Sequence, residues 1–196
     1  MKIESLKILK KLDFTKQLVF AYLTCERLYV NYEYFSENFN FGNPAVLRNG
    51  IDCLYENLFE KNASNSEIGR LIDQAERNAP EINNTIAYSA AGACLALYHS
   101  LCFLMDKHLL HIAYISTVAT DLVDKFIAEI ENPDLDNAFD VNTDFDLRKK
   151  RNEHRLMVKE IARQSAIIGY LNKNNNLSYE DVKMLLSMQR RVRKKR

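Results

Sequence analysis

Glu26 and Arg27 stand side by side in CERLYVNYEYF, residues 25 to 35, a stretch otherwise dominated by tyrosine, leucine, valine and phenylalanine. On a helix, Glu26 shares its surroundings with Val19, Tyr22 and Val30, and Arg27 with Phe20, Leu23 and Tyr34. A charge framed in this way must be paired and hydrogen-bonded, because leaving it buried alone is costly. Downstream, Arg48 and Asp52 lie four apart on one helix face, and the junction Gly42-Asn43-Pro44 should fold their helix back alongside Glu26 and Arg27. The candidate polar cluster is Glu26, Arg27, Asn31, Arg48 and Asp52. Two kinds of chemistry suit it. One is a charge network that fixes the pairing of two helices. The other is a cleft in which Glu26 acts as a base and Arg27 or Arg48 clamps an anion. The structural network is the expectation, since ion-pair networks perturb their surroundings as much as active sites do.

Other constellations carry less. Asp140, Asn142, Asp144 and Asp146 repeat at the oxygen spacing of a calcium loop. Phe145 falls where such a loop needs glycine, however, and Arg151 falls where a bidentate carboxylate should close it. A solvated acidic loop leading into a helix N-terminus is the reading taken. His99 with Cys102 and His108 with His111 each sit three apart, a spacing that zinc can use but that chance also supplies; no HExxH or CxxC accompanies them. No metal site is therefore assigned, and His154 is expected to be a satisfied core residue. Phosphate loops, nucleophile elbows and dinucleotide fingerprints are absent, and with five glycines the chain is poorly supplied to build one; no cofactor is implied.

The elements that must position these residues are helical. Apolar residues recur at intervals of three and four, strict alternation never persists, and only five Gly and three Pro interrupt the chain. A short helix over about 2–12 should precede one over 15–40, capped by Asp13 or Thr15 and stopped by a left-handed Gly42; Asn43 and Pro44 then cap and open the next, to about 61. Ser64 with Glu67 has capping-box spacing for a fourth helix that Pro80 ends. Residues 86–105 carry no formal charge over membrane-spanning length, but serines, tyrosines and His99 dilute them, and the expectation is the buried central helix of a bundle. Further helices are expected over 107–131 and 145–173, the latter turning Met157, Val158, Ile161 and Ile168 inward. A last helix should open at Leu177-Ser178 with a Leu177–Val182 hydrophobic staple. The fold class is thus all-α: a single multihelical bundle of seven or eight helices around a central, uncharged buried helix. Residues 1–189 form one domain and 190–196 a basic C-terminal tail.

The order Cys25-Glu26-Arg27, Tyr29, Asn31-Tyr32, Phe35, Phe41-Gly42, Arg48, Ile51-Asp52 resembles the YjaG-like family, bacterial all-helical proteins of unknown function. The resemblance is densest over residues 18–60, with weaker patches at Ala93–Leu97 and around Ser116. Tyr55 stands where the family usually has Trp, and Gly92 where it often has Asp. The resemblance implies a cytoplasmic all-α protein and carries over no reaction.

At 196 residues, 47% apolar and 27% charged, the composition is that of an ordinary globular protein that needs no disulfide or metal to complete its core. The four cysteines lie in apolar helical stretches without paired spacing and read as reduced and buried. The amphipathic, lysine-bearing start MKIESLKILKK lacks the continuous apolar run of a leader. Net charge is +1, yet Arg190, Arg191, Arg193, Lys194, Lys195 and Arg196 are all cationic, so the body is mildly acidic. That tail suits a helix dipole first and sequence-independent contact with nucleic-acid phosphates second. The leading functional expectation is a non-enzymatic, cytoplasmic protein-interaction or regulatory module, a homodimer with room for another protein partner and no membrane association. The alternatives are a small-ligand binder or enzyme built on the polar cluster, and nucleic-acid association through the tail.

Overall fold

In the computed structural model, residues 3–59, 62–131 and 151–191 are described, and eight helices follow one another along them: α1 (Ile3–Leu9), α2 (Phe14–Phe39), α3 (Pro44–Glu56), α4 (Asn65–Arg77), α5 (Thr85–Asp106), α6 (Leu109–Glu131), α7 (Arg155–Lys173) and α8 (Tyr179–Arg191). No strand occurs among the described residues.

Local chemistry sets most of the boundaries. Asp13 caps α2 by accepting the Lys16 N–H at 3.0 Å, and Ser64 caps α4 by accepting from Glu67 N–H at 3.1 Å. Asn43 accepts from Ala45 N–H at 3.0 Å, with Pro44 opening α3 at the position where its missing N–H costs nothing. The residue that stops α2 is Asn40, in the left-handed region at φ 49°, and not Gly42 as the sequence suggested. Gly42 also has positive φ, 66°, and has no room for a side chain: a Cβ there would lie 2.1 Å from the Tyr32 hydroxyl. Asn78, the C-cap of α4, ties this junction to its own helix. Its Oδ1 accepts from Asn43 N–H at 3.1 Å and from the Tyr32 hydroxyl at 3.3 Å, while its Nδ2 donates to Gln74 O at 2.8 Å.

The expected start of the helix over 145–173 lies outside the described residues, and within them that stretch is interrupted at His154. Residues 151–153 are helical, but His154 is extended and caps α7 by accepting the Leu156 N–H on Nδ1 at 3.3 Å. It is a half-buried cap, not the core residue its position on the apolar stripe predicted. Val158, expected inward, is 51% exposed. α8 opens on a reciprocal box: Asp181 accepts from the Ser178 N–H and hydroxyl, and the Ser178 hydroxyl accepts from the Asp181 N–H. The hydroxyls of Ser178 and Tyr170 hold the Asp181 carboxyl down at about 2. The stapled Val182 is fully buried.

α5 is the centre of the molecule. It packs most extensively on α2 and α6 and next on α4, with α3 also in contact, while α7 covers α6 and α1, and α8 lies against α2. Being enclosed on several sides, α5 can dispense with charge. It is long and apolar enough to cross a bilayer, but most of its apolar window is buried in protein, which accounts for its composition without a membrane. Its burial is nevertheless incomplete: Ile86, Leu95 and Met105 are exposed.

Candidate functional site

The helix–stop–helix junction folds α3 back on α2, as expected, and brings Arg48 onto Glu26. Arg48 Nη2 donates to Glu26 Oε1 at 2.7 Å and Nε donates to Asp52 Oδ1 at 2.9 Å, its own i+4 neighbour. Glu26 Oε1 also accepts from the Tyr22 hydroxyl at 3.0 Å, and the Glu26 side chain is nearly closed to solvent. Burial pulls the Arg48 guanidinium down, but the hydrogen bond and charge of Glu26 outweigh it and hold the group above its ordinary value. Burial, with the Glu26 carboxylate beside it, drives the Tyr22 phenol upward. Glu26 is thus already matched by a guanidinium and a phenol.

Arg27 turns the other way. It makes a bidentate pair with Glu160 of α7, Nη1 to Oε2 at 2.9 Å and Nη2 to Oε1 at 2.8 Å. Glu160 is 1% exposed and takes two further donors, Arg163 Nη1 and Gln164 Nε2, each at 2.9 Å. Gln164 continues inward, accepting from the Ser116 hydroxyl at 2.6 Å and donating to the Ser116 carbonyl at 3.3 Å. Four of the five residues of the expected cluster therefore divide between two networks, one joining α2 to α3 and one joining α2 to α7 and α6. Sequence reasoning missed Glu160. Its one trace is spacing, since Glu160 and Gln164 share the buried stripe of Met157, Ile168 and Leu171.

Asn31 belongs to neither network. It faces an apolar groove with Tyr34, Ile86, Phe126 and Ile130, between α2, α5 and α6. Tyr55 is held between the rings of Tyr22 and Tyr179, with centroids at 5.3 and 5.7 Å. Gly92 admits Leu122 so closely that a Cβ would meet its Cδ2 at 2.6 Å, so an acidic side chain there would require Leu122 to move. His99 pairs with His111, Nδ1 to Nδ1 at 3.0 Å, rather than with Cys102, and His111 reaches Asp106 at 3.1 Å through Nε2. Burial, then the neighbouring His111, lowers His99 to about 4. Among the described residues no three His, Cys, Asp or Glu groups converge as metal ligands. The calcium-like spacing of Asp140–Asp146 and the side chains of the 190–196 tail lie outside the described residues.

Two concavities complete the inventory. A recess of about 200 Å³ lies where Arg27, Glu33 and Arg48 meet Leu186 and Gln189 of α8. A larger hollow, about 460 Å³, runs along the solvent side of α5, with Ala91, Gly92 and Leu95 on its floor, Ile82 at one end and Glu76 and Asp121 on its rim.

Residues 4–194 match the family model described as "Protein of unknown function (DUF416)". The chain belongs to the DUF416 family. "Uncharacterized protein YjaG" of Escherichia coli (strain K12) is 30% identical over 91 residues, 45% of this chain and 46% of that protein, and the YjaG protein of Salmonella typhimurium matches to the same extent. The matched stretch thus spans about half the length of these curated relatives. A crystal structure of a DUF416 family protein from Shewanella baltica OS155 has the same architecture, with a TM-score of 0.82 at 28% identity over 95% of this chain and 93% of that one. The YjaG-like resemblance and the all-α fold of this DUF416 chain are both borne out.

Proposed function

We propose that this DUF416 protein is a non-enzymatic, cytoplasmic interaction protein that pairs with a second copy of itself through the solvent face of α5. The observation that carries this reading is the hollow on that face, to which α5 contributes no charged residue. A helix needs to shed charge only where it is covered, yet α5 carries no charge over residues 86–105, and Leu95 in that run is 46% exposed. A two-fold interface needs a face that can meet itself, and Leu95 stands on this one within a helical turn of Ala91 and Gly92, so a two-fold operation can bring each Leu95 against the other copy's hollow. Covering the exposed half of that side chain is worth about 1 kcal/mol per copy, before its neighbours are counted. The charged residues favour the same reading, since Glu26 and Glu160 are fully engaged with protein donors. The four described cysteines are free and buried, which suits a reducing compartment.

Sedimentation equilibrium of the untagged protein tests the proposal. A dimer that becomes monomeric in Leu95→Glu, with the melting temperature kept, is the expected result. A wild-type monomer at micromolar concentration, or a Leu95→Glu variant that remains dimeric, overturns it.

A further inference from the structure

The recess between α2, α3 and α8 has a composition that the two ion-pair networks do not use up. Two guanidiniums, Arg27 and Arg48, and two carboxylates, Glu26 and Glu33, line the same 200 Å³, with Leu186 supplying an apolar wall. Glu26 is bound by Arg48 and Tyr22, and Arg27 by Glu160. Glu33 has no ion pair or hydrogen bond among the described residues. Arg48 commits Nε to Asp52 and Nη2 to Glu26, which leaves Nη1. At the edge of the recess, both amide atoms of Gln189 are shut off from bulk water and lack a hydrogen-bond partner among the described residues. Buried amides are almost always satisfied, so an orphaned donor and acceptor on one side chain beside a polar hollow call for a missing partner.

We propose that this recess binds a small zwitterion of the α-amino-acid class. The hydrogen-bonding capacity left over, at Arg48 through Nη1 alone, suits both signs. Arg48 and the Gln189 N–H₂ suit a carboxylate, while Glu33 and the Gln189 carbonyl suit an ammonium, once rotation about the Gln189 side-chain torsions turns the amide into the hollow. A simple anion such as phosphate gains the guanidiniums but meets Glu33, and a simple cation gains Glu33 but meets Arg48. A neutral dipole a few ångströms long satisfies both ends. The volume admits a small amino acid, whose side chain would rest on Leu186.

Titration calorimetry on the dialysed, untagged protein provides the test, with glycine, L-alanine, L-serine and L-glutamine as probes and acetate, methylammonium and phosphate as partial ligands. At least one amino acid binding with one site per chain, and none of the partial ligands matching it, is the expected outcome. Gln189→Leu and Glu33→Gln should each weaken that binding roughly tenfold or more. Gln189→Leu should melt no lower than wild type, because it removes an unsatisfied amide. The proposal fails if no amino acid binds, if acetate or phosphate binds equally well, or if both variants bind as wild type does. Leu95→Glu, which addresses self-association, should bind the same amino acid unchanged, so the two proposals stand or fall separately.

Discussion

Removing Arg27 or Glu160 singly should be far more damaging than their location on helix surfaces would suggest, and removing both should restore part of the loss. Glu160 is 1% exposed and receives four hydrogen bonds, two of them from Arg27. Arg27→Met leaves a carboxylate buried with half its donors. Glu160→Met leaves the Arg27 guanidinium, whose side chain is 15% exposed, without its carboxylate. Breaking a buried pair from one side costs about 3–5 kcal/mol. Arg163 and Gln164 still serve Glu160 in the first variant, so the lower end, about 3 kcal/mol, is expected there. For a domain of this size that is a fall of about 6–12 °C in melting temperature. In the double variant, Arg163 can turn to water, being 30% exposed, and Gln164 Nε2 keeps the Ser116 carbonyl. The combined loss should therefore fall short of the sum by about 2 kcal/mol or more. Urea unfolding of the four proteins, followed by far-UV circular dichroism and by tyrosine fluorescence, measures this cycle. Additivity within about 0.5 kcal/mol, or an Arg27→Met variant as stable as wild type, would refute a structural pair and return Arg27 to the list of residues kept for binding.

Two other perturbations follow from the geometry. Gly42→Ala places a Cβ against the Tyr32 hydroxyl in a left-handed backbone and should cost about 1–3 kcal/mol in the same urea experiment, whereas Asn40→Gly, at the other left-handed position, should be nearly neutral. His99 makes stability sensitive to acid. Burial, then His111, lowers it from 6.5 to about 4, so between those values the unfolded chain takes up a proton that the folded one refuses. Stability should decline as pH falls from 6.5 through 4; His108, Asp106, Tyr98 and Tyr114 also face the histidine pair. His99→Gln should flatten that part of the profile, and an unchanged slope would dismiss His99 as its cause.

How far the cluster was legible depended on how local its causes were. Arg48 meets Glu26 because Asn43 and Pro44 restart a helix four residues after Asn40 ends the last, and every step of that turn has a sequence signature. Even there the stop was misplaced by two residues, since Asn tolerates the left-handed region almost as Gly does and Gly42 was needed for Tyr32. The Arg27–Glu160 pair spans 133 residues, and no local rule announces a partner on another helix. Only the interior stripe of α7 hints at it, with a Glu and a Gln where apolar residues should stand. His154 misled for the related reason that a capping residue at the end of a stripe looks like a member of it.

The uncharged run of α5 shows where such reading must stop. Periodicity separates a buried face from an exposed one only when the exposed face is marked by charge, and α5 carries no such mark over residues 86–105. The sequence therefore reads as a helix covered all round, while the fold covers it with α2, α4, α6 and part of α3 and leaves Leu95 in the open. A core explains charge avoidance only on the covered sides. On the remaining side Leu95 is exposed, and the self-association proposed above accounts for an apolar residue there. Leu95→Glu is informative for that reason. It leaves the core untouched, and any loss it causes belongs to the surface.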